Sequence, residues 1–278
     1  MGLGNPPAFV GKISVTSSNN ELYWDEQTSG ANTATLANGE YYPDVLCAAI
    51  SSAMSLASVA GNTYGSSFSV ETGKYTVTRL GGTEDFAIDP RTSQAGNLWI
   101  GGTEDTGGGT WSSDQYGPNF LGWKAAASLT AYASEQTSPN VAGVVWYPSQ
   151  PPQDDDGGVD DALITQANAM DGTTTTFDFT GWETSNDAAN FPHYLGKNQL
   201  RRWRFRYITQ ESRDQYIQFW GPWAKTGGAF LFYPDYTDDS VSYEYKLTRE
   251  SCQRRTFSER TVQGYPYYSG ELQARGAA

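Results

Sequence analysis

The sequence predicts a β-rich α+β fold, with antiparallel sheets or a β-sandwich in each of two domains and one helix packed on each. Three features of its 278 residues lead there. Glycine fills 30 positions, which suits many turns; aromatic residues reach 14%, which suits broad packed strand faces; and charged residues stop at 18%, below the roughly 25% of an ordinary globular domain. A helical bundle would need far more Leu, Glu, Lys and Ala, and a disordered chain would lack the aromatics. No apolar run approaches the ~18 residues that cross a bilayer, so no membrane partner is expected.

The elements follow in order. Residues 1–18 start Met1-Gly-Leu-Gly-Asn-Pro-Pro7 and read as an N-terminal arm, with neither the basic n-region nor the apolar h-region of a secretory signal. Residues 19–24 and 32–36 are strand-like, with a turn signal at Asn38-Gly39. Pro43-Asp44 opens a helix, since proline in the first turn forfeits no hydrogen bond and the aspartate suits the positive end of the dipole. Its apolar residues Leu46, Ala49, Ile50, Ala53, Met54 and Ala57 recur every three or four positions down to Gly61. A hairpin follows, with Phe68, Val70, Tyr75 and Val77 available to one face and a Glu71–Lys74 turn that places a glycine where positive φ is wanted. Phe86–Ile88 is a further strand, and Asn97–Ile100 and Phe120–Trp123 bracket a Gly/Asp/Ser-rich loop. This first module ends near Lys124.

A second domain is expected over 125–278. It holds strands at 141–147 and 173–179 on either side of an exposed acidic loop at 148–161. The run Leu200–Ile208 alternates basic and aromatic residues, so as a strand it places Trp203, Phe205 and Tyr207 on one face and Arg202, Arg204 and Arg206 on the other. Thr209 is an N-cap for a helix carrying Tyr216, Ile217, Phe219 and Trp220, which Pro222 ends or kinks. Strands at 229–233, 241–247, 254–262 and 267–273 complete the domain.

Charge is unevenly shared. Residues 1–190 hold 5 basic and 22 acidic side chains, a net of −17, and residues 191–278 hold 13 basic and 9 acidic, a net of +4. An acidic body and a basic end favour head-to-tail contact between copies. Excess acid elsewhere argues against nucleic acid as the partner of Arg201, Arg202, Arg204 and Arg206.

Catalytic chemistry is poorly supplied. The single histidine, His193, sits beside a proline and two aromatics without a nucleophile motif. Cys47 and Cys252 with one histidine fall short of the four ligands of a structural zinc site, and both cysteines read as reduced thiols. The candidate metal site is calcium at Asp154, Asp156 and Asp160, although Pro152 occupies a position where the EF-hand spacing needs aspartate. The default for that loop is a solvated, self-repelling segment, and no cofactor is expected. Gly107–Gly109 lacks the Lys-Ser/Thr of a phosphate loop. Paired carboxylates with many aromatics would also suit a polysaccharide hydrolase, but the aromatics fall mostly on core stripes, so the chain reads as a non-enzyme.

Two stretches carry a likeness. From Asn19 to Trp123 the chain runs through Thr-Leu-Ala-Asn-Gly-Glu-Tyr, Pro-Asp-Val-Leu-Cys-Ala-Ala-Ile, Phe-Ser-Val-Glu-Thr-Gly-Lys-Tyr, Asn-Leu-Trp-Ile-Gly and Phe-Leu-Gly-Trp, and this resembles a module of tailed-bacteriophage virion proteins. From Arg201 to Gln273, a basic aromatic strand, a helix, a Gly-Gly turn and closing strands resemble the β-rich end of distal-tail and minor tail-tip proteins. The resemblance implies a virion tail subunit, assembled in the host cytoplasm, whose partners are copies of itself and other tail proteins. The arginines Arg201, Arg202, Arg204 and Arg206 and the rings of Trp111 and Trp146 are the expected interaction residues. A head-associated virion protein and a carbohydrate-binding module using Trp111 and Trp146 are the alternatives.

Overall fold

Strand alternation and turn chemistry organise the chain into two contact-defined units, Ala8–Trp146 with Asp235–Ser240, and Met1–Pro7 with Tyr147–Pro234 and Val241–Ala278. The computed structural model describes residues 7–91, 93–101, 121–149, 181–184, 190–193, 200–219, 228–247, 258–262 and 265–276. The fold is β-rich α+β, built on antiparallel sheets with a helix in each unit.

The first unit begins inside the expected arm. Strands β1 (Ala8–Val10) and β2 (Ile13–Val15) bury Phe9, Val10, Ile13 and Val15, so 8–15 is core. Strands β3 (Glu21–Glu26) and β4 (Gly30–Thr35) form a hairpin that alternates as a half-buried strand pair should, with Leu22, Trp24, Asn32 and Ala34 inward. Its turn is Gln27–Ser29. Gly30 takes φ +89°, and the Glu84 carboxylate accepts the Thr28 and Ser29 N–H groups at 3.0 and 2.8 Å. The Asn38-Gly39 signal falls after the pair, at the bend that leads into β5 (Gly39–Tyr41), and β5 pairs with β2.

Helix α1 (Pro43–Ala57) has the expected proline start and buries Leu46, Cys47, Ile50 and Met54. It stops before Gly61 because the following backbone is captured from outside: Val59 N–H donates to Asn32 Oδ1 and Ala60 N–H to Glu26 Oε2, both at 2.9 Å. Strands β6 (Thr63–Ser69) and β7 (Lys74–Gly81) form the predicted hairpin, with Gly73 at φ +66° in its turn. The helix runs along the other edge of β6. There the Ser55 and Ser51 hydroxyls accept the N–H groups of Tyr64 and Ser66 at 2.8 and 2.7 Å, while donating to the Ser51 and Cys47 carbonyls one turn back. Two serines spaced by four thus cap a strand edge that would otherwise be open to pairing.

Strand β8 (Phe86–Ile88) joins β3, giving the order β4–β3–β8. Residues 98–100 form one 3-10 turn, held by Asn97, whose Oδ1 accepts from the Trp99 N–H and whose Nδ2 donates to the Asp89 carbonyl. Trp99 packs edge-to-face on Trp123, with centroids 5.0 Å apart. Strand β9 (Glu135–Thr137), absent from the sequence expectation, pairs with β7 and carries the unit past residue 124. The strand expected over 141–147 contracts to β10 (Val145–Trp146), because the Val145 N–H turns back to the Ala142 carbonyl; β10 pairs with β1.

In the second unit β11 (Gly181–Thr184) pairs with β12 (Asn190–His193). Strand β13 (Leu200–Ile208) leads into α2 (Gln210–Phe219), and β14 (Ala229–Tyr233), β15 (Tyr243–Leu247), β16 (Ser258–Val262) and β17 (Tyr265–Gly276) follow. Their order is β14–β15–β17–β13, with β16 beside β17. Trp203, Phe232 and Tyr245 gather on one face, Trp203 lying 4.9 Å from Phe232 and 5.5 Å from Tyr245 between centroids. The predicted cap is present: the Ser212 N–H donates to the Thr209 hydroxyl, and Ser212 itself bridges the Tyr147 carbonyl and the Ser149 N–H. The strand expected at 173–179 lies outside the described residues.

One carboxylate holds the first unit together at the end of α1. Glu26 is fully buried, and its two oxygens accept from five donors: Ser58 Oγ, Asn62 Nδ2 and the Tyr64 hydroxyl on Oε1, and Asn32 Nδ2 and the Ala60 N–H on Oε2. Burial alone raises its pKa, but the bonds from Ser58, Ala60, Tyr64 and Asn32 outweigh burial and hold it below the ordinary 4.5. Glu26→Gln turns an amide N–H₂ toward these donors and should lower unfolding free energy by about 2–4 kcal/mol, read from denaturant midpoints. Because the folded pKa is depressed, the contribution is complete above about pH 4.5 and drains away as pH falls through the folded value. The variant should therefore lose acid sensitivity as well as stability. A second test is Gly82→Ala. Gly82 sits at φ +91° with its missing side-chain position overlapping Asn62 Oδ1, so the substitution should cost roughly 1–3 kcal/mol from backbone strain alone.

Candidate functional site

The arginine-rich segment is a strand, as expected. Arg201, Arg202, Arg204 and Arg206 fall in β13, opposite Ala274, Gln273 and Glu271 of β17 for the first three. Trp203 and Phe205 are buried, which fixes the aromatic face inward. The alternation breaks at the end. Register shifts between Phe205 and Ile208, and Tyr207 takes φ +60°, where a non-glycine residue is strained. That bulge turns Tyr207 out to 49% exposure instead of continuing the buried row. Among the described residues β13 pairs only with β17, so it is a terminal strand of the sheet.

The other sequence candidates part company. Trp146 is fully buried, its ring 4.9 Å from that of Phe9 across the β1–β10 pair, so it is a core residue and no platform for a glycan. Trp111 and the calcium candidates Asp154, Asp156 and Asp160 lie outside the described residues, as does Cys252. His193 ends β12 opposite Gly181. The charge contrast also changes when counted by structural unit. The first unit holds 16 acidic and 5 basic residues, net −11, whereas the second holds 15 and 13, net −2. Apart from the four arginines of β13, residues 191–278 hold 9 basic and 9 acidic side chains, so the positive charge of that end is the charge of the strand.

Two surfaces of the first unit went unseen in the sequence. The first is the outward side of α1. Asp44 is the single charged residue in its fifteen, and Val45, Ala48, Ser52 and Leu56 face solvent, Leu56 at 90% exposure. The 3.6-residue period read for this helix marked its buried stripe; reading the complementary stripe for missing charge would have found this one. The second is the outer face of β4–β3–β8, where Asp89, itself buried, receives Nε and Nη2 of Arg91 at 2.7 and 2.6 Å and Nε2 of Gln94 at 2.8 Å. Burial raises the Asp89 pKa, but Arg91 and Gln94 more than reverse this and hold it below the usual carboxylate value. Nearby, the Tyr132 hydroxyl donates to Asp25. Tyr132 lies in a stretch without a clear periodic signal, so nothing local in the sequence marks it.

Among the described residues the one cysteine, Cys47, is poorly placed to react. Cys47, a free thiol within the α1 core stripe, is pushed up to about 11, chiefly by burial. Burial thus keeps Cys47 a protonated thiol at neutral pH. In a Cys252→Ser background, Cys47 should therefore resist Ellman's reagent until denaturant is added; prompt labelling of the folded chain would contradict this placement. The chain matches no protein-family model, and comparison with curated proteins and with solved structures likewise yields no match.

Proposed function

We propose that this chain is a structural subunit of a tailed-phage virion, a tail or tail-tip protein that assembles with copies of itself into a ring and docks on other tail proteins. The solvent side of α1 carries the reading. A helix lying on a protein surface ordinarily shows charge to water; this one shows Val45, Ala48, Ser52 and Leu56. Ala48 and Ser52 are small enough to let a second backbone approach, and Val45 and Leu56 flank them with apolar surface. In a unit of net −11, like-charge repulsion between copies is least across a face whose helix carries a single charge, Asp44 at its start.

The arginine strand adds a second kind of contact. Arg201, Arg202, Arg204 and Arg206 suit the acidic unit of a neighbouring copy, a heterologous arrangement that closes into a ring when the rotation allows. The virion setting itself rests on the likeness of Asn19–Trp123 and Arg201–Gln273 to tail proteins.

Light scattering on purified chain over a hundredfold concentration range tests this. The expected result is a mass that rises with concentration, falls back toward monomer in Leu56→Glu, and responds to salt through the arginine contacts. A chain that stays monomeric throughout, and that binds no tail protein when mixed with a tail lysate fraction, overturns the proposal.

A further inference from the structure

The outer face of β4–β3–β8 holds a tyrosine laid across it. Asp25 of β3 lies opposite Ala87 of β8, and Phe86 bridges antiparallel to Ala133 on the far side. The antiparallel step therefore sets Tyr132 beside Ala87 on the same face as Asp25. Ala87 offers only a methyl group, and the Tyr132 hydroxyl reaches past it to Asp25 Oδ1 at 2.5 Å. Backbone at one end and hydrogen bond at the other hold the ring in one orientation, yet the residue is 40% exposed.

Polar groups next along the same strands are positioned but not used up. On β3, two residues before Asp25, Tyr23 is fixed by its hydroxyl on the Ala95 carbonyl at 2.7 Å, and Asp89 continues the pairing by donating its N–H to the Tyr23 carbonyl. The Asp89 fork locks the Arg91 guanidinium while leaving that side chain 39% exposed. Among the described residues Arg91 Nη1, Asp25 Oδ2 and Gln94 Oε1 make no hydrogen bond. The surface thus offers a rigid ring, a fixed donor and two acceptors.

The geometry points to a binding site for a neutral pyranose of a glycan, seated with its C–H face on the Tyr132 ring and its hydroxyls between Arg91 and Asp25. A sugar presents that pairing of an apolar face with vicinal hydroxyls that both donate and accept, and a few fixed polar groups around an aromatic surface select for it. Charge decides against an anionic ligand. Asp25 and Asp89 outnumber Arg91, and the unit around them is already at −11, so a uronate, sialate or phosphate would be repelled. The site is shallow and pre-organised, which suits binding in about the millimolar range for one sugar unit, strengthened by repetition when many copies meet one glycan surface. It stands apart from the virion reading, since nothing in it requires assembly.

Saturation-transfer NMR on the full chain tests it, with methyl α-glucoside, methyl α-mannoside, methyl α-galactoside and N-acetylglucosamine as probes and glucuronate as the charged comparison. Transfer to the ring protons of at least one neutral sugar is expected, weaker by roughly fivefold or more in Tyr132→Ala and Arg91→Ala, with an intermediate loss in Tyr132→Phe, which keeps the ring and removes its tether. Leu56→Glu should leave the sugar's Kd, read from the dependence of the transfer on sugar concentration, unchanged, which separates this site from the assembly face. Absence of transfer to all four neutral sugars, a stronger signal from glucuronate, or a signal that survives both Tyr132→Ala and Arg91→Ala overturns the inference. Should Tyr132→Ala fail to fold, Tyr132→Phe and Arg91→Ala decide the matter.

Discussion

A carboxylate sealed from water is the constraint around which the first unit is arranged. An ionised group in a protein interior is tolerable only when donors replace its hydration, and Glu26 takes its five from four places in the chain: Asn32 on β4, Ser58 and Ala60 after α1, Asn62, and Tyr64 on β6. Each donor is useful only if its element lies where it does. The register of the β3–β4 hairpin, the end point of α1 and the start of β6 are therefore coupled through one side chain. Asn62 extends the cluster by donating to the Glu84 carbonyl, and Glu84 in turn caps the β3–β4 turn. Tyr64, whose pKa is raised by burial and by Glu26, stays a neutral donor across the physiological range.

That coupling explains why α1 lies on the edge of β6 instead of across its face. Once Val59 and Ala60 are tied to Asn32 and Glu26, the helix must run back alongside the strand that follows. Ser51 and Ser55 then meet the β6 edge. Serine in a helix interior is a poor helix former when its hydroxyl competes for the backbone; here each hydroxyl both returns a bond to the carbonyl four residues back and accepts a strand N–H. The same residues that lower helix propensity satisfy an edge that would otherwise recruit another strand.

Much of this was legible where local rules suffice. The proline start and core stripe of α1, the β6–β7 hairpin with its glycine turn, the inward Trp203 and Phe205, and the Thr209 cap all follow from period and turn chemistry. The losses share a cause: contacts between residues far apart in the chain decide them. Strands β1 and β2 follow a Pro-Pro pair that by itself suits an arm, yet β2 acquires its partner only from Gly39–Tyr41. The β3–β4 turn at Gln27–Ser29 is held by Glu84, 55 residues beyond Ser29, a partner that no local turn signal names. Trp146 reads equally well as platform or core until Phe9 is found beneath it. Tyr207 continues the sequence alternation but not the structural one, because a bulge shifts register at that point. For the surface of β4–β3–β8, Asp25, Arg91 and Tyr132 come from three separate segments, and no spacing rule joins them.

The side chains of α1 can be divided by what constrains them, and the division bears on what its outer face is for. Leu46, Cys47, Ile50 and Met54 answer to the core, Ser51 and Ser55 to the β6 edge, and Pro43 and Asp44 to the helix start. Val45, Ala48, Ser52 and Leu56 answer to none of these. Lysine or glutamate at any of the four would improve solubility and keep helix propensity at no expense to the core. Fold stability therefore does not require these residues, and an apolar side chain as open as Leu56 is a liability in an isolated chain. A face that folding leaves free and water disfavours supports the proposed contact with another protein surface, and a single charge on the helix, Asp44 at its start, keeps a copy of the same acidic unit among the neighbours that proposal allows.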